Sequence, residues 1–232
     1  MSKIILALDN ISIDDSIKVV DDIKSEIYAV KLGIGFFYKY GIDGLKAIRE
    51  KNMKVFLDLK LCDIPNTIET ALNAVLSEVE VSMVTIHINA GAESIKRSLS
   101  VIESLSLETM LLGVTVLTSV SNENLHDMGY KLDLDSLVVD LARFANNNGL
   151  HGIVCSGHEI SIVRKETSKN FKIVVPGIYI KESNSPDQSR IMCYSNAVRK
   201  GADFLVIGRS ILKTEDPVHL IKEVNYSINN IL

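Results

Sequence analysis

Cysteine is scarce and scattered. Cys62, Cys155 and Cys193 make an odd total with no metal-ligand spacing. That argues against a disulfide framework and a clustered metal site, and a reducing, cytoplasmic setting is expected. Basic tracts are missing. With a net charge of −4, the chain lacks the electrostatic footprint of a nucleic-acid binder. Long apolar runs are absent as well. The opening MSKIILALDN carries only a short one before Asp9, which is expected to be neither a signal peptide nor a membrane span. No GxGxxG follows the first apolar run, which weakens a doubly wound open sheet as the fold. Low-complexity stretches and linkers are lacking, so residues 1–232 are expected to form one domain.

What is present is a regular alternation. Hydrophobic residues make up 47% of the chain, enough for a sizeable core, and charged residues an ordinary 23%. Short apolar runs read as strands at Ile4–Asp9, Tyr28–Gly33, Lys54–Lys60, Met83–Ile88, Met110–Leu117, Gly152–Ser156, Lys172–Pro176 and Phe204–Gly208. Amphipathic stretches between them read as helices, among them Ile13–Ser25, Thr67–Glu80, Ala92–Leu105, Leu134–Asn148, Asp187–Lys200 and Pro217–Ile231. Leu137, Leu141 and Phe144 share one face of the fourth of these, and Gly149 is placed to cap it. Eight strand–helix units in roughly 250 residues is the arithmetic of an α/β (β/α)8 TIM barrel.

In such a barrel the chemistry gathers at the C-terminal ends of the strands. Those ends here carry Asp9, Lys31, Asp58 with Lys60, His87 with Asn89, Thr118 with Ser119, Pro176-Gly177 and Gly208-Arg209-Ser210. The third strand is the most telling. In VFLDLKLCDIPNT, charges arrive where an apolar run should continue, and alternation puts Asp58 and Lys60 on one face. A buried carboxylate and ammonium are costly unless paired or used. Asp63 follows in the loop, Pro65 stops the strand, and Asn66 with Glu69 reads as a capping pair for the next helix. At the other end, Gly208 lets backbone approach a ligand and Arg209 suits an oxyanion. The loop Gly177–Asp187 reads either as a lid closing over a phosphate or as ordinary surface, and the Gly-Arg pair favours the lid.

DLKLCDIPNT resembles the DxKxxDIPNT signature of the orotidine 5′-phosphate decarboxylase family. ALD, VKLG, GVTVLTS, PGI and GADFLVIGRSI resemble further segments of that family, in its order, over nearly the whole chain. The resemblance implies a cofactor-free carboxy-lyase that turns orotidine 5′-phosphate into uridine 5′-phosphate and carbon dioxide, for pyrimidine biosynthesis. It implies that Asp9 and Lys31 contact the ribose, that Asp58 lies beside the substrate carboxylate and that Lys60 is the proton donor. Asp63 completes a Lys31/Asp58/Lys60/Asp63 array from the partner subunit of a homodimer, with Thr67 in the same shared loop. Thr118 meets the pyrimidine amide edge. Gln188, Gly208 and Arg209 hold the phosphate, with Gln188 also reaching toward the base. Bacterial members that otherwise look like this chain often read PGIR, whereas this chain reads Pro176-Gly177-Ile178-Tyr179. Tyr179 therefore replaces a phosphate-binding arginine, and weaker phosphate binding rather than lost activity is expected.

Other readings stay beside this one. A metal-dependent sugar-phosphate lyase or synthase on the same barrel needs an acidic ligand near strand two or four, where the chain shows Lys31, Gly33, His87 and Asn89. A non-catalytic nucleotide-binding relative predicts damage to the charged array, which is intact. His87 reads as a packed, hydrogen-bonded strand-end residue and Cys62 as packing. His158 and Glu159 read as solvated residues at a helix start, and Asn122, Asn124 and Asp127 as loop and capping groups.

Overall fold

The computed structural model describes residues 2–180 and 190–231. Eight parallel strands close into a barrel: β1 (Ile4–Ala7), β2 (Ala29–Gly33), β3 (Val55–Leu61), β4 (Met83–His87), β5 (Met110–Val114), β6 (Gly152–Val154), β7 (Lys172–Val175) and β8 (Phe204–Ile207). Neighbours in sequence are neighbours in space, and β1 joins β8 through Ile4 opposite Leu205. This is the expected (β/α)8 architecture. Each strand starts within a residue of its expected first position, and most end one to three residues early, because the polar ends turn out of the ladder toward the mouth.

Strand alternation sorts the apolar side chains into two packed groups. Ile5, Ala7, Ala29, Phe56, Met83, Leu112, Val174 and Val206 fill the barrel interior. Their neighbours along the strands, such as Leu6, Val30, Leu57 and Val84, point outward against the helices. Phe56 is among the largest fully buried side chains. Its truncation to alanine costs about 3–5 kcal/mol at a typical core site. The interior is thus a plug that leaves only the mouth open to a ligand.

The helices are α1 (Ile13–Ile23), α2 (Ile34–Arg49), α3 (Pro65–Leu76), α4 (Gly91–Ser104), α5 (Asn122–Asp127), α6 (Leu134–Asn147), α7 (Ile160–Glu166), α8 (Tyr194–Lys200), α9 (Arg209–Leu212) and α10 (Pro217–Asn229). Helix α2 is broken at Gly41, where φ is +57°. Gly149 follows α6 with φ +81°, and the Leu150 N–H closes the end on the Ala145 carbonyl at 3.1 Å.

Four local expectations are corrected in whole or in part. Helix α3 starts at Pro65, not Thr67, because proline at N1 lacks the N–H that a helix start leaves unpaired. Asn66 and Glu69 form no capping pair; Glu69 instead accepts from Arg97 Nη1 at 3.0 Å. The helix expected from Asp187 starts at Tyr194, because Met192–Cys193 pair in parallel with Ile178–Tyr179 as a short ladder. Residues 122–127, expected as loop and capping groups, form a helix, and Asn124 does cap it in a reciprocal box with Ser121.

Candidate active site

A cavity of about 430 Å³ opens at the C-terminal end of the barrel. Of the nominated residues, Asp9, Lys31, Asp58, Lys60, Thr118, Tyr179, Gly208 and Arg209 line it. Asp63 and Thr67 do not; both are exposed on the loop and first helical turn after β3. Gln188, together with Lys181, Ser183 and Asp187, lies outside the described residues.

One wall is an ionic chain across β1, β2 and β3. Lys31 is nearly buried, and its Nζ donates to Asp9 Oδ1 at 3.0 Å and Oδ2 at 3.2 Å. The same ammonium stands 3.7 Å from Asp58 Oδ2. Lys60 Nζ donates to that oxygen at 2.8 Å. Asp58, 7% exposed, therefore sits between two cations, which offsets the cost of its burial. Lys60 keeps 31% of its side chain exposed toward the cavity, so the ammonium retains donors for a ligand.

Simple alternation does not explain how Lys60 reaches this wall. The β3–β4 ladder shifts register between Leu57 and Leu61, and Lys60 adopts φ +51°. A non-glycine residue in that left-handed region costs about 1–3 kcal/mol. Thr85, fully buried on β4, accepts the Lys60 backbone N–H at 2.8 Å and donates its hydroxyl to Asp58 Oδ1 at 3.0 Å. No sequence signal marked Thr85, since threonine is ordinary in a strand.

The opposite wall suits an anion. Gly208, Arg209 and Ser210 line it at the start of α9, where a helix leaves its first N–H groups without intrahelical acceptors. Gly177 lines it too, with φ +71°, a conformation that side chains rarely adopt. Tyr179 stands in the short ladder opposite Cys193.

Three readings of individual residues change. Cys62, read as packing, is exposed. His87 is packed, yet its buried Nδ1 has no hydrogen-bond partner among the described residues. Burial, and then the Lys60 charge, push its pKa below the ordinary histidine value. Glu159 is not solvated but fully buried. It pairs with Arg190 and accepts the Ser156 N–H at 2.8 Å. Burial raises its pKa, against the opposing Arg190 charge and the Ser156 bonds. Arg190 also donates to the carbonyls of Thr118 (3.2 Å) and Leu117 (2.8 Å). Among the described residues no three His, Cys, Asp or Glu side chains gather as a metal site, and no helix is long and apolar enough to cross a membrane.

Comparison with known proteins agrees with this geometry. Residues 2–224 match the family model described as orotidine 5′-phosphate decarboxylase / HUMPS family. An orotidine 5′-phosphate decarboxylase of Ehrlichia canis is 40% identical over 227 residues, covering 97% of each chain. One from Wolbachia pipientis subsp. Culex pipiens is 39% identical over 217 residues, covering 94% of each. The crystal structure of orotidine 5′-phosphate decarboxylase from Lactobacillus acidophilus superposes with a TM-score of 0.85 at 28% identity, covering 99% of this chain and 100% of that one. A family match over residues 2–224, with relatives 39% and 40% identical over nearly the full length, places the chain in the orotidine 5′-phosphate decarboxylase / HUMPS family.

Proposed function

We propose that the protein is a cytoplasmic orotidine 5′-phosphate decarboxylase that makes uridine 5′-phosphate and carbon dioxide for pyrimidine biosynthesis. The observation that carries this is the ammonium of Lys60, held 2.8 Å from the nearly buried Asp58 and still open to the cavity. Breaking the bond from C6 to the carboxylate leaves an electron pair in an sp² orbital of the ring, where it cannot delocalise into the π system. Preorganised charge has to stabilise it. Lys60 supplies a positive charge beside C6 and then donates a proton to it as general acid. The resulting amine regains its proton from water. Asp58 holds the Lys60 ammonium in place and stands beside the departing carboxylate, while Asp9 and Lys31 take the ribose and Thr118 the pyrimidine edge. The wall at Gly208 and Arg209 receives the phosphate with Gln188, and Tyr179 serves there in place of arginine. Binding of that distant group supplies energy for assembling the site.

This reading makes the working unit a homodimer, with Asp63 and Thr67 delivered to the partner's site. Three observations support it. Asp63 faces solvent and accepts only from the adjacent Ile64 N–H, at 2.7 Å, among the described residues. Ile64 is 66% and Tyr38 86% exposed. An apolar groove of about 390 Å³ lies between α2, β3 and α3, lined by Phe37, Tyr38, Leu59, Leu61 and Leu72 among others.

The test follows orotidine 5′-phosphate absorbance with purified protein and a chelator present throughout. Turnover that survives the chelator and disappears in Lys60→Ala is expected. No turnover from folded protein would overturn the reading, and sugar phosphates with added magnesium would then be tested as substrates. Mixing inactive Lys60→Ala and Asp63→Ala subunits tests the shared site. Random re-pairing makes about one site in four intact, so activity is expected to return to about a quarter of wild type. Mixed subunits that stay inactive would show that each chain supplies its own Asp63.

A further inference from the structure

The register shift in β3 leaves three residues, Asp58, Leu59 and Lys60, between Leu57 and Leu61. On β4 only Thr85 lies between their partners Val84 and Ile86. The Lys60 N–H therefore goes to the Thr85 hydroxyl rather than to a strand carbonyl. A hydroxyl has one proton. Because Thr85 Oγ1 accepts from Lys60, that proton is left for Asp58 Oδ1. One buried oxygen thus joins the carboxylate of the array to the backbone that carries the ammonium. Packing alone does not require it, since valine fills the same space on an apolar inner face without a polar atom to satisfy.

We propose that Thr85 is the positioning residue of the site. Its hydroxyl holds Lys60 in the left-handed conformation and orients Asp58, so that the Lys60 ammonium lies beside the reacting carbon. This rests on the decarboxylase reading for its consequence in rate, but not for its geometry. The hydroxyl aligns charges needed in the transition state and touches no part of the nucleotide, so its loss falls on kcat.

The experiment compares Thr85→Val, Thr85→Ser and wild type. Thr85→Val is expected to lower kcat about 10- to 100-fold, the scale of one hydrogen bond to a charged group. KM and the Kd of uridine 5′-phosphate should stay within about threefold, and Thr85→Ser should restore kcat to within about threefold. Equal loss in both variants, an unchanged kcat in Thr85→Val, or a loss confined to KM would overturn the proposal. Thr85→Ala replaces Thr85→Val if the latter does not fold. Crystal structures give a readout independent of turnover. Lys60 should leave φ near +51° in the hydroxyl-free variant and keep it in Thr85→Ser. Unchanged Lys60 geometry without the hydroxyl would overturn the proposal even if wild type turned out to have another substrate. Failure of wild type on orotidine 5′-phosphate would overturn only the decarboxylase reading.

Discussion

Two carboxylates are buried beside cations at the mouth of this barrel, and they do different work. Asp58 lies between Lys31 and Lys60 on the cavity wall, and the Lys60 ammonium spends one donor on Asp58 while the rest face open space. Glu159 lies behind the wall. One of its oxygens takes Arg190 and the other the Ser156 N–H, while Arg190 also donates to the Leu117 and Thr118 carbonyls through Nη2 and Nε. The chemistry of the groups is nearly the same. What differs is where the cation stands: Lys60 lines the cavity and Arg190 does not. A pair closed on itself ties β5 to β6, whereas a pair left open can act on a ligand.

The sharpest break in this comparison is Lys60→Ala. Proton donation accounts for about 10²–10⁴ and charge stabilisation for about 10²–10³ in rate, so kcat is expected to fall by about 10⁴-fold or more. The melting temperature should fall less than for Arg190→Ala, since Lys31 remains beside the buried Asp58. The opposite pattern is expected of Arg190→Ala. Leaving Glu159 buried without its cation costs about 3–5 kcal/mol of stability. Any loss of activity in the protein that stays folded should be smaller than for Lys60→Ala and come through the freed Thr118 loop. Urea unfolding beside steady-state kinetics measures both. If Lys60→Ala unfolds the protein, or Arg190→Ala abolishes turnover at unchanged stability, the division between open and closed pairs fails.

The open pair was legible in the sequence and the closed one was not. The inner face of a parallel strand should be apolar, so Lys31, Asp58 and Lys60 stood out by local chemistry alone. Glu159 sits in a turn before a helix, where a carboxylate is ordinarily solvated, and nothing near it announces Arg190 on a different element. Its burial comes from the tertiary fold, as does the role of Thr85 opposite the shifted register. The same limit explains the misplaced cap. Asn66 with Glu69 has the spacing of a capping pair, but Pro65 had already begun the helix and Arg97, on α4, takes the Glu69 carboxylate. The (β/α)8 order was legible because it rests on a repeated local pattern rather than on any single contact.

The smallest expected effect sharpens the comparison through pH. Burial raises the pKa of Glu159 above its ordinary value of 4.5, while Arg190 and the Ser156 bonds oppose the rise and a more distant Asp135 adds to it. The folded state therefore binds a proton that the unfolded chain has released, in a window starting near 4.5 and extending upward. Where the folded state holds more protons, stability falls as pH rises. The contribution of Glu159 is most favourable below the window and least favourable above it. Glu159→Gln keeps the size and removes the titration. The stability of wild type relative to this variant should shift in favour of wild type as pH is lowered from about 8 to about 5. Subtracting the variant also removes the background of surface carboxylates such as Asp21 and Glu78, whose lowered values act in the opposite sense. A gap that stays constant would mean that Glu159 titrates alike in both states. A gap that moves the other way would mean that Arg190 outweighs burial and holds the carboxylate ionised, which would make the closed pair electrostatically favourable in its own right and not only a tie between β5 and β6.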